Sequence, residues 1–83
     1  MSTSIIFYGA GWCGDCKRSQ QFLDSHNISY NYINIDEVPG AADKVASINN
    51  GYKSIPTIVF PDGSILVEPN NSQLADKLKL VTK

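Results

Sequence analysis

The residues whose side chains are most clearly suited to a chemical reaction are two cysteines, Cys13 and Cys16, the only ones in the 83-residue chain. Because only two residues separate them, a disulfide between them closes a very short loop and stabilises the fold little. A four-ligand zinc site is not expected, since His26 is the only further cysteine or histidine. Covalent haem attachment needs a histidine directly after the second cysteine, where Lys17 stands. The spacing therefore predicts a dithiol–disulfide pair.

The position of the pair along the chain favours thiolate chemistry. Residues 4–8 form a short apolar run that predicts a buried strand, and residues 15–27 predict a helix, with Asn27 suited to a left-handed C-terminal position. The free N–H groups and positive dipole end at the start of a helix stabilise an anion. We therefore expect Cys13 to be the nucleophile and Cys16, one turn further on, to be the more buried resolving cysteine.

The rest of the chain predicts a small α/β fold in the order β-α-β-α-β-β-α. The first βαβ unit should be parallel and right-handed, within a four-stranded mixed sheet that carries helices on both faces. The second strand should be central at its far end, and Pro39 is placed to begin the second helix. The second strand is predicted over 28–35, and a helix follows along Ala41, Val45 and Ile48 and ends at 49–51. Two strands over 55–60 and 65–67 are joined by a turn at 61–64, with Gly63 in the left-handed place. The last helix is capped within 70–72 and lined by Leu74, Leu78 and Val81.

A second candidate feature is Ile55-Pro56, at the start of the third strand. An X-Pro bond costs only about 0.5–1 kcal/mol to hold in the cis form. Because proline lacks an N–H group, the backbone of Ile55 is left to pair with an extended ligand. From the pattern alone, a ligand-binding cis proline and a simple proline at a strand entry are equally good interpretations.

Aromatic residues flank the cysteines and occupy the second strand. Trp12 is expected to shield the thiol and shape the approach of a partner, because it adjoins the first cysteine. Tyr8 either reaches the site from the end of its strand or, the interpretation we favour, packs in the core. Tyr30 and Tyr32 are interpreted as strand packing, because no basic patch accompanies them.

Composition and charge limit the partners. Seven basic and eight acidic side chains give a net charge of −1, which predicts no nucleic-acid partner and no attraction to an anionic membrane. The chain has no apolar run near the roughly 18–20 residues that span a bilayer and no secretory leader pattern. We expect a single domain over residues 1–83 that is monomeric and cytoplasmic.

The segments Gly11-Trp12-Cys13-Gly14-Asp15-Cys16-Lys17 and Ser54-Ile55-Pro56-Thr57 resemble the thioredoxin-fold superfamily, specifically small glutaredoxins, over essentially the whole chain. This resemblance implies that Pro56 is cis and faces Cys13, and that the backbone of Ile55 pairs with the cysteinyl part of a bound thiol.

The likeness to mycoredoxins rests on residues 50–57 and on Asp62-Gly63-Ser64. It implies that Lys53 meets a carboxylate of a low-molecular-weight thiol, mycothiol or glutathione, which acts as the reductant. Residues 67–72 depart from the Gly-Gly-x-Asp-Asp stretch of glutathione-using glutaredoxins, and Ala10 stands where these often carry lysine. Both departures weaken the case for glutathione, so mycothiol, another bacterial thiol or a protein disulfide stays open.

The leading functional hypothesis is a thiol–disulfide oxidoreductase without a tightly bound cofactor, which reduces small mixed disulfides or protein disulfides. Cys13 would attack and Cys16 would resolve the mixed disulfide. One alternative is a dimeric module that shares a [2Fe-2S] cluster through Cys13 and external thiols. Another is a dedicated electron donor to an enzyme such as ribonucleotide reductase.

Overall fold

A computed structural model of the chain describes residues 4–79 and contains four strands and three helices within that range. The strand order is β2-β1-β3-β4, with β2 parallel to β1 and the β1–β3 and β3–β4 pairs antiparallel. This confirms the predicted element order and the mixed sheet, while Val81 lies outside the described residues. The elements are β1 (Ile5–Gly9), α1 (Gly14–Ser25), β2 (Tyr30–Asn34), α2 (Ala41–Ile48), β3 (Thr57–Val59), β4 (Ile65–Val67) and α3 (Asn71–Leu78).

Helices cover both faces of the sheet, as predicted. On one face, Ile58 of β3 belongs to a buried cluster that includes Leu23 of α1 and Leu74 of α3. On the other, the side-chain amide of Asn49, at the end of α2, donates to the hydroxyl of Thr57 at 3.0 Å. Because neighbouring residues of a strand point to opposite faces, α2 lies across the sheet from α1 and α3.

Local signals for the ends of elements are confirmed. Asn27, just beyond α1, has φ 58°, and Gly63 in the β3–β4 turn has φ 88°. Asn70 caps α3: its side chain accepts the N–H of Gln73 at 2.8 Å, and the Gln73 side chain accepts the N–H of Asn70 at 2.9 Å. Such reciprocal caps satisfy N–H groups that the helix leaves unpaired.

Two predictions about the middle of the chain are wrong. β2 is an edge strand, because the β3–β4 hairpin takes the opposite side of β1 and nothing pairs beyond β2 in the sheet of the described residues. Pro39 does not begin α2, since the chain first passes through a left-handed N-cap at Gly40, with φ 83°, and the helix begins at Ala41.

No helix within residues 4–79 has the length and apolarity to cross a membrane.

Candidate active site

The start of α1 positions the sulfur of Cys13, which follows the carboxyl end of β1 and is the N-cap residue of the helix. The backbone N–H of Cys16 donates to Cys13 Sγ at 3.1 Å, so the sulfur occupies the place that a serine or aspartate oxygen takes in a common N-cap. The first turn of a helix leaves its N–H groups without partners inside the helix, and the positive end of the helix dipole lies there.

The two cysteines differ in access to solvent, as the sequence predicts. Cys13 keeps 8% of its surface exposed, whereas Cys16 is fully buried, and neither forms a disulfide. Burial, followed by the hydrogen bond with Cys13, raises the pKa of Cys16 to about 12. At neutral pH Cys16 is therefore protonated and covered, and a reagent from solvent meets Cys13 first.

The buried thiol makes the stability of the reduced protein depend on alkaline pH. The ordinary pKa of a cysteine thiol is 9.0, whereas the pKa of Cys16 in the folded protein is about 12. Between these values the unfolded chain has released a proton that the folded state still binds, so the free energy of unfolding falls as pH rises. The Cys16 contribution should fall by about 1 kcal/mol between about pH 7 and about pH 10. Urea unfolding of the reduced wild type and of Cys16→Ala measures it, and an equal loss in both proteins would contradict the assignment.

Gly9, the last residue of β1, lies directly beneath Cys16. A Cβ atom at Gly9 would lie 3.0 Å from Cys16 Sγ, 3.0 Å from Cε1 of Phe7 and 3.1 Å from Cε1 of Tyr32. Three side chains thus converge on the space that only glycine leaves open. Tyr32 belongs to the surroundings of the site, which its interpretation as strand packing missed. No local sequence pattern predicts this position, because the β1–β2 register places Tyr32 beside Phe7.

The Ile55–Pro56 segment borders Cys13. The bond between these residues is cis, as the resemblance implies. The carbonyl oxygen of Ile55 lies 4.0 Å from Cys13 Sγ, and the carbonyl oxygen of Pro56 accepts the N–H of Glu68 at 2.8 Å. This contact brings the cis-proline segment beside the N-cap sulfur, and the residue after β4 supports it.

Arg18 connects the cysteine-bearing helix to the β4–α3 loop and to the first residue of α3. Its guanidinium donates to the side-chain oxygen of Asn71 at 2.7 Å and to the carbonyl oxygen of Pro69 at 2.9 Å. Since Glu68 of this loop holds Pro56, a short series of hydrogen bonds links α1 to the cis-proline segment. These partners of Arg18 stand 53 and 51 residues further along the chain, so no local pattern announces the contact.

The remaining predicted site residues occupy different surroundings. Trp12 adjoins Cys13, is 71% exposed, and its indole N–H donates to Asp36 Oδ2 at 2.7 Å. Lys53 is exposed and precedes the cis-proline segment by two residues. Tyr8 is buried on the α2 face of the sheet, across β1 from the resolving sulfur. The contacts of these three side chains with a thiol stay predictions.

Fold and site together define the class of protein. A reduced Cys-x-x-Cys pair at the N-terminus of α1, next to a cis-proline segment in a mixed four-stranded sheet, is the arrangement of thioredoxin-fold thiol–disulfide proteins. The sequence profile of the glutaredoxin family matches residues 5–65. The chain belongs to the glutaredoxin family, and it is a glutaredoxin-like redox protein with Cys13 and Cys16 as its cysteine pair.

Individual relatives agree with this assignment. A Mycobacterium tuberculosis protein that carries the name glutaredoxin is 33% identical over 78 residues, which cover 94% of this chain and 93% of that protein. Mycoredoxin 1 of Corynebacterium glutamicum is 26% identical over 77 residues, 93% of this chain and 95% of the relative. The glutaredoxin-like protein NrdH of Lactococcus lactis is 36% identical over 58 residues, 70% of this chain and 78% of the relative.

Solved structures show the same fold. A glutaredoxin from Archaeoglobus fulgidus superposes with a TM-score of 0.78 at 28% identity, covering 93% of this chain and 87% of that one. A crystal structure of a thioredoxin-like protein gives a TM-score of 0.82 at 23% identity, covering 98% of this chain and all of the other. The predicted thioredoxin-like fold is confirmed, and family membership implies thiol–disulfide oxidoreductase activity in general.

Proposed function

We propose that this protein reduces mixed disulfides of a low-molecular-weight thiol, and protein disulfides, through Cys13 as nucleophile and Cys16 as resolving cysteine. The observation that carries the proposal is the contrast between the two sulfurs. One caps a helix and reaches the surface, while the other is fully buried one turn further on. A two-step exchange requires a first thiol that a substrate can approach and a second thiol close behind it.

In the first step, the Cys13 thiolate attacks one sulfur of the substrate disulfide. A bond forms between Cys13 Sγ and that sulfur, the substrate S–S bond breaks, and the released thiolate takes a proton from solvent. In the second step, Cys16 loses its proton and attacks Cys13 Sγ, so an intramolecular disulfide forms and the second substrate thiol leaves protonated. Two electrons pass from the protein pair to the substrate, and two molecules of the low-molecular-weight thiol restore the reduced pair by forming their own disulfide.

The thiol is proposed to be mycothiol or a related bacterial thiol in preference to glutathione. The sequence similarity to mycoredoxin 1, 26% identity over 93% of this chain, supports this choice. In the proposed complex, the backbone of Ile55 next to Pro56 pairs with the cysteinyl part, Lys53 meets a carboxylate, and Trp12 shields the sulfur. Tyr8 supports the end of β1 from the opposite face.

The cellular setting proposed for this reaction is simple. A single domain over residues 1–83 acts in the cytoplasm as a monomer, on disulfide-containing proteins and without nucleic-acid or membrane partners. The near-neutral charge of the chain supports recognition by local contacts at the site in preference to a long-range electrostatic field.

A panel of substrates tests the proposal. Mixed disulfides of mycothiol, bacillithiol and glutathione are each coupled to the reductase of that thiol, and a protein disulfide is coupled to thioredoxin reductase. We expect turnover to be fastest with the mycothiol system. Lys53→Gln should raise KM for that substrate, because a charge partner of the carboxylate is lost, while Lys44→Gln on α2 removes the same charge elsewhere and serves as the matched control. Turnover with none of the substrates would show the proposal to be wrong.

A second candidate is a dedicated electron donor to one enzyme, such as ribonucleotide reductase. The similarity to the glutaredoxin-like protein NrdH favours it, since the 36% identity covers 70% of this chain. The same panel separates the two functions. Recycling by thioredoxin reductase, without turnover of any small-thiol mixed disulfide, would support the dedicated donor.

A further inference from the structure

Tyr32 approaches the surroundings of Cys16 from the edge of the sheet. It lies on β2 in register with Phe7 of β1, and the two rings pack with their centroids 5.8 Å apart. Two residues after Phe7, β1 ends at Gly9, which carries no side chain. The Tyr32 ring therefore leans over β1, and its Cε1 atom borders the same small space as Cys16 Sγ.

Among the side chains that meet above Gly9, Tyr32 is the one with a large exposed surface. Its exposed fraction is 38%, whereas Phe7 and Cys16 are fully buried. Of the side chains that border the space above Gly9, Tyr32 is therefore the one through which this space meets solvent on the β2 side. Burial, followed by electrostatic interaction with Cys16 and Cys13, raises the pKa of Tyr32, which agrees with this proximity.

We propose that Tyr32 is a positioning residue that covers Cys16 and so determines how long a mixed disulfide on Cys13 survives before Cys16 resolves it. This inference rests on the proposed function and specifies which reactions the site favours. While the ring covers it, the Cys16 sulfur stays protonated and attacks slowly. An external low-molecular-weight thiol then has time to attack the mixed disulfide instead, forming its own disulfide and releasing the Cys13 thiolate.

Removing the ring reverses this balance. Water reaches Cys16, the thiol loses its proton more readily, and its attack on Cys13 Sγ forms the intramolecular disulfide sooner, while the small thiol leaves with the proton. Tyr32 thus directs the protein towards exchange with small thiols and away from direct dithiol reduction.

Alkylation of Cys16 measures the cover directly. In reduced protein carrying Cys13→Ser, iodoacetamide modification of Cys16 is followed by mass spectrometry. We expect Tyr32→Val, which keeps strand propensity, to raise the rate about tenfold, the change in thiolate population for one unit of pKa. Tyr32→Phe keeps the ring and the slow rate. Tyr30→Val is the matched control, because Tyr30 shares the strand, the face and the packing on Phe7, with centroids 5.5 Å apart, but lies further from the cysteines.

The lifetime of the mixed disulfide supplies the second readout. With Cys13 intact, rapid mixing with the mixed disulfide of the preferred thiol followed by acid quench should show a lifetime about tenfold shorter in Tyr32→Val than in the wild type, for the same reason. Should thermal unfolding show that the valine variant is not folded, Tyr32→Leu retains apolar contact with Phe7 and replaces it.

Three results would overturn the inference. They are an unchanged alkylation rate in Tyr32→Val, an equal acceleration in Tyr30→Val, which would indicate general loosening of the sheet edge, and an equal acceleration in Tyr32→Phe, which would assign the effect to the hydroxyl. A wild type that forms no mixed disulfide would refute the proposed function instead. The alkylation rates would still decide whether Tyr32 covers Cys16.

Discussion

Replacing Cys13 with serine is expected to reduce disulfide exchange to the uncatalysed level. The serine hydroxyl can still accept the N–H of Cys16 and cap α1, so the fold should persist. It cannot form the nucleophilic thiolate at neutral pH that starts the exchange. The reductase-coupled assay with the preferred mixed disulfide measures the loss, and thermal unfolding confirms that the variant is folded.

The companion variant, Cys16→Ser, should behave differently. The first attack by Cys13 and its release by a second small thiol do not require Cys16, so turnover of small mixed disulfides should persist while reduction of protein disulfides is lost. Equal loss of both reactions in Cys16→Ser would show a strictly dithiol mechanism and would contradict the mixed-disulfide route. Residual turnover in Cys13→Ser would contradict the assignment of the nucleophile.

Replacing Gly9 with alanine should destabilise the protein by about 1–3 kcal/mol, the range for a group added to a well-packed core. The new Cβ would lie 3.0 Å from Cys16 Sγ and from the Phe7 ring, and 3.1 Å from the Tyr32 ring. Phe7 and Cys16 are fully buried and have little room to retreat. Equilibrium unfolding in urea measures the change in the free energy of unfolding.

Gly11→Ala is the matched control for this substitution. Gly11 stands two residues away in the chain, and a Cβ there would meet nothing within 4 Å. Its replacement should change the free energy of unfolding by less than about 0.5 kcal/mol. Similar values for the two variants would show that the space above Gly9 adapts easily, and that the contact with the resolving cysteine is not a tight one.

The predictions that hold depend on interactions between residues close in sequence. The cap of α3 joins Asn70 to a residue three positions further on. The left-handed conformations of Asn27 and Gly63 depend on the local geometry of the backbone. Placement of Cys13 at the start of α1 follows from a strand and a helix that adjoin it directly. Such features depend on only a few neighbouring residues, so they can be predicted from the types of those residues.

The wrong predictions concern features that depend on contacts with segments distant in the sequence. Whether β2 lies at the edge or the centre depends on which side of β1 the β3–β4 hairpin takes, and the apolar pattern of β2 is compatible with both. Pro39 is a suitable first helical residue, but the turn through Gly40 moves the start of α2 beyond it.

The same division runs through the site. Spacing and residue type suffice to identify the redox pair and the greater burial of Cys16, because one helical turn relates the two sulfurs. The surroundings of that pair required the tertiary structure. The approach of the Tyr32 ring to the confined space above Gly9 and the link from Arg18 to the β4–α3 segment join parts of the chain that only strand register and helix packing bring together. Those contacts arise when the whole chain minimises its exposed apolar surface, which no short stretch of sequence encodes.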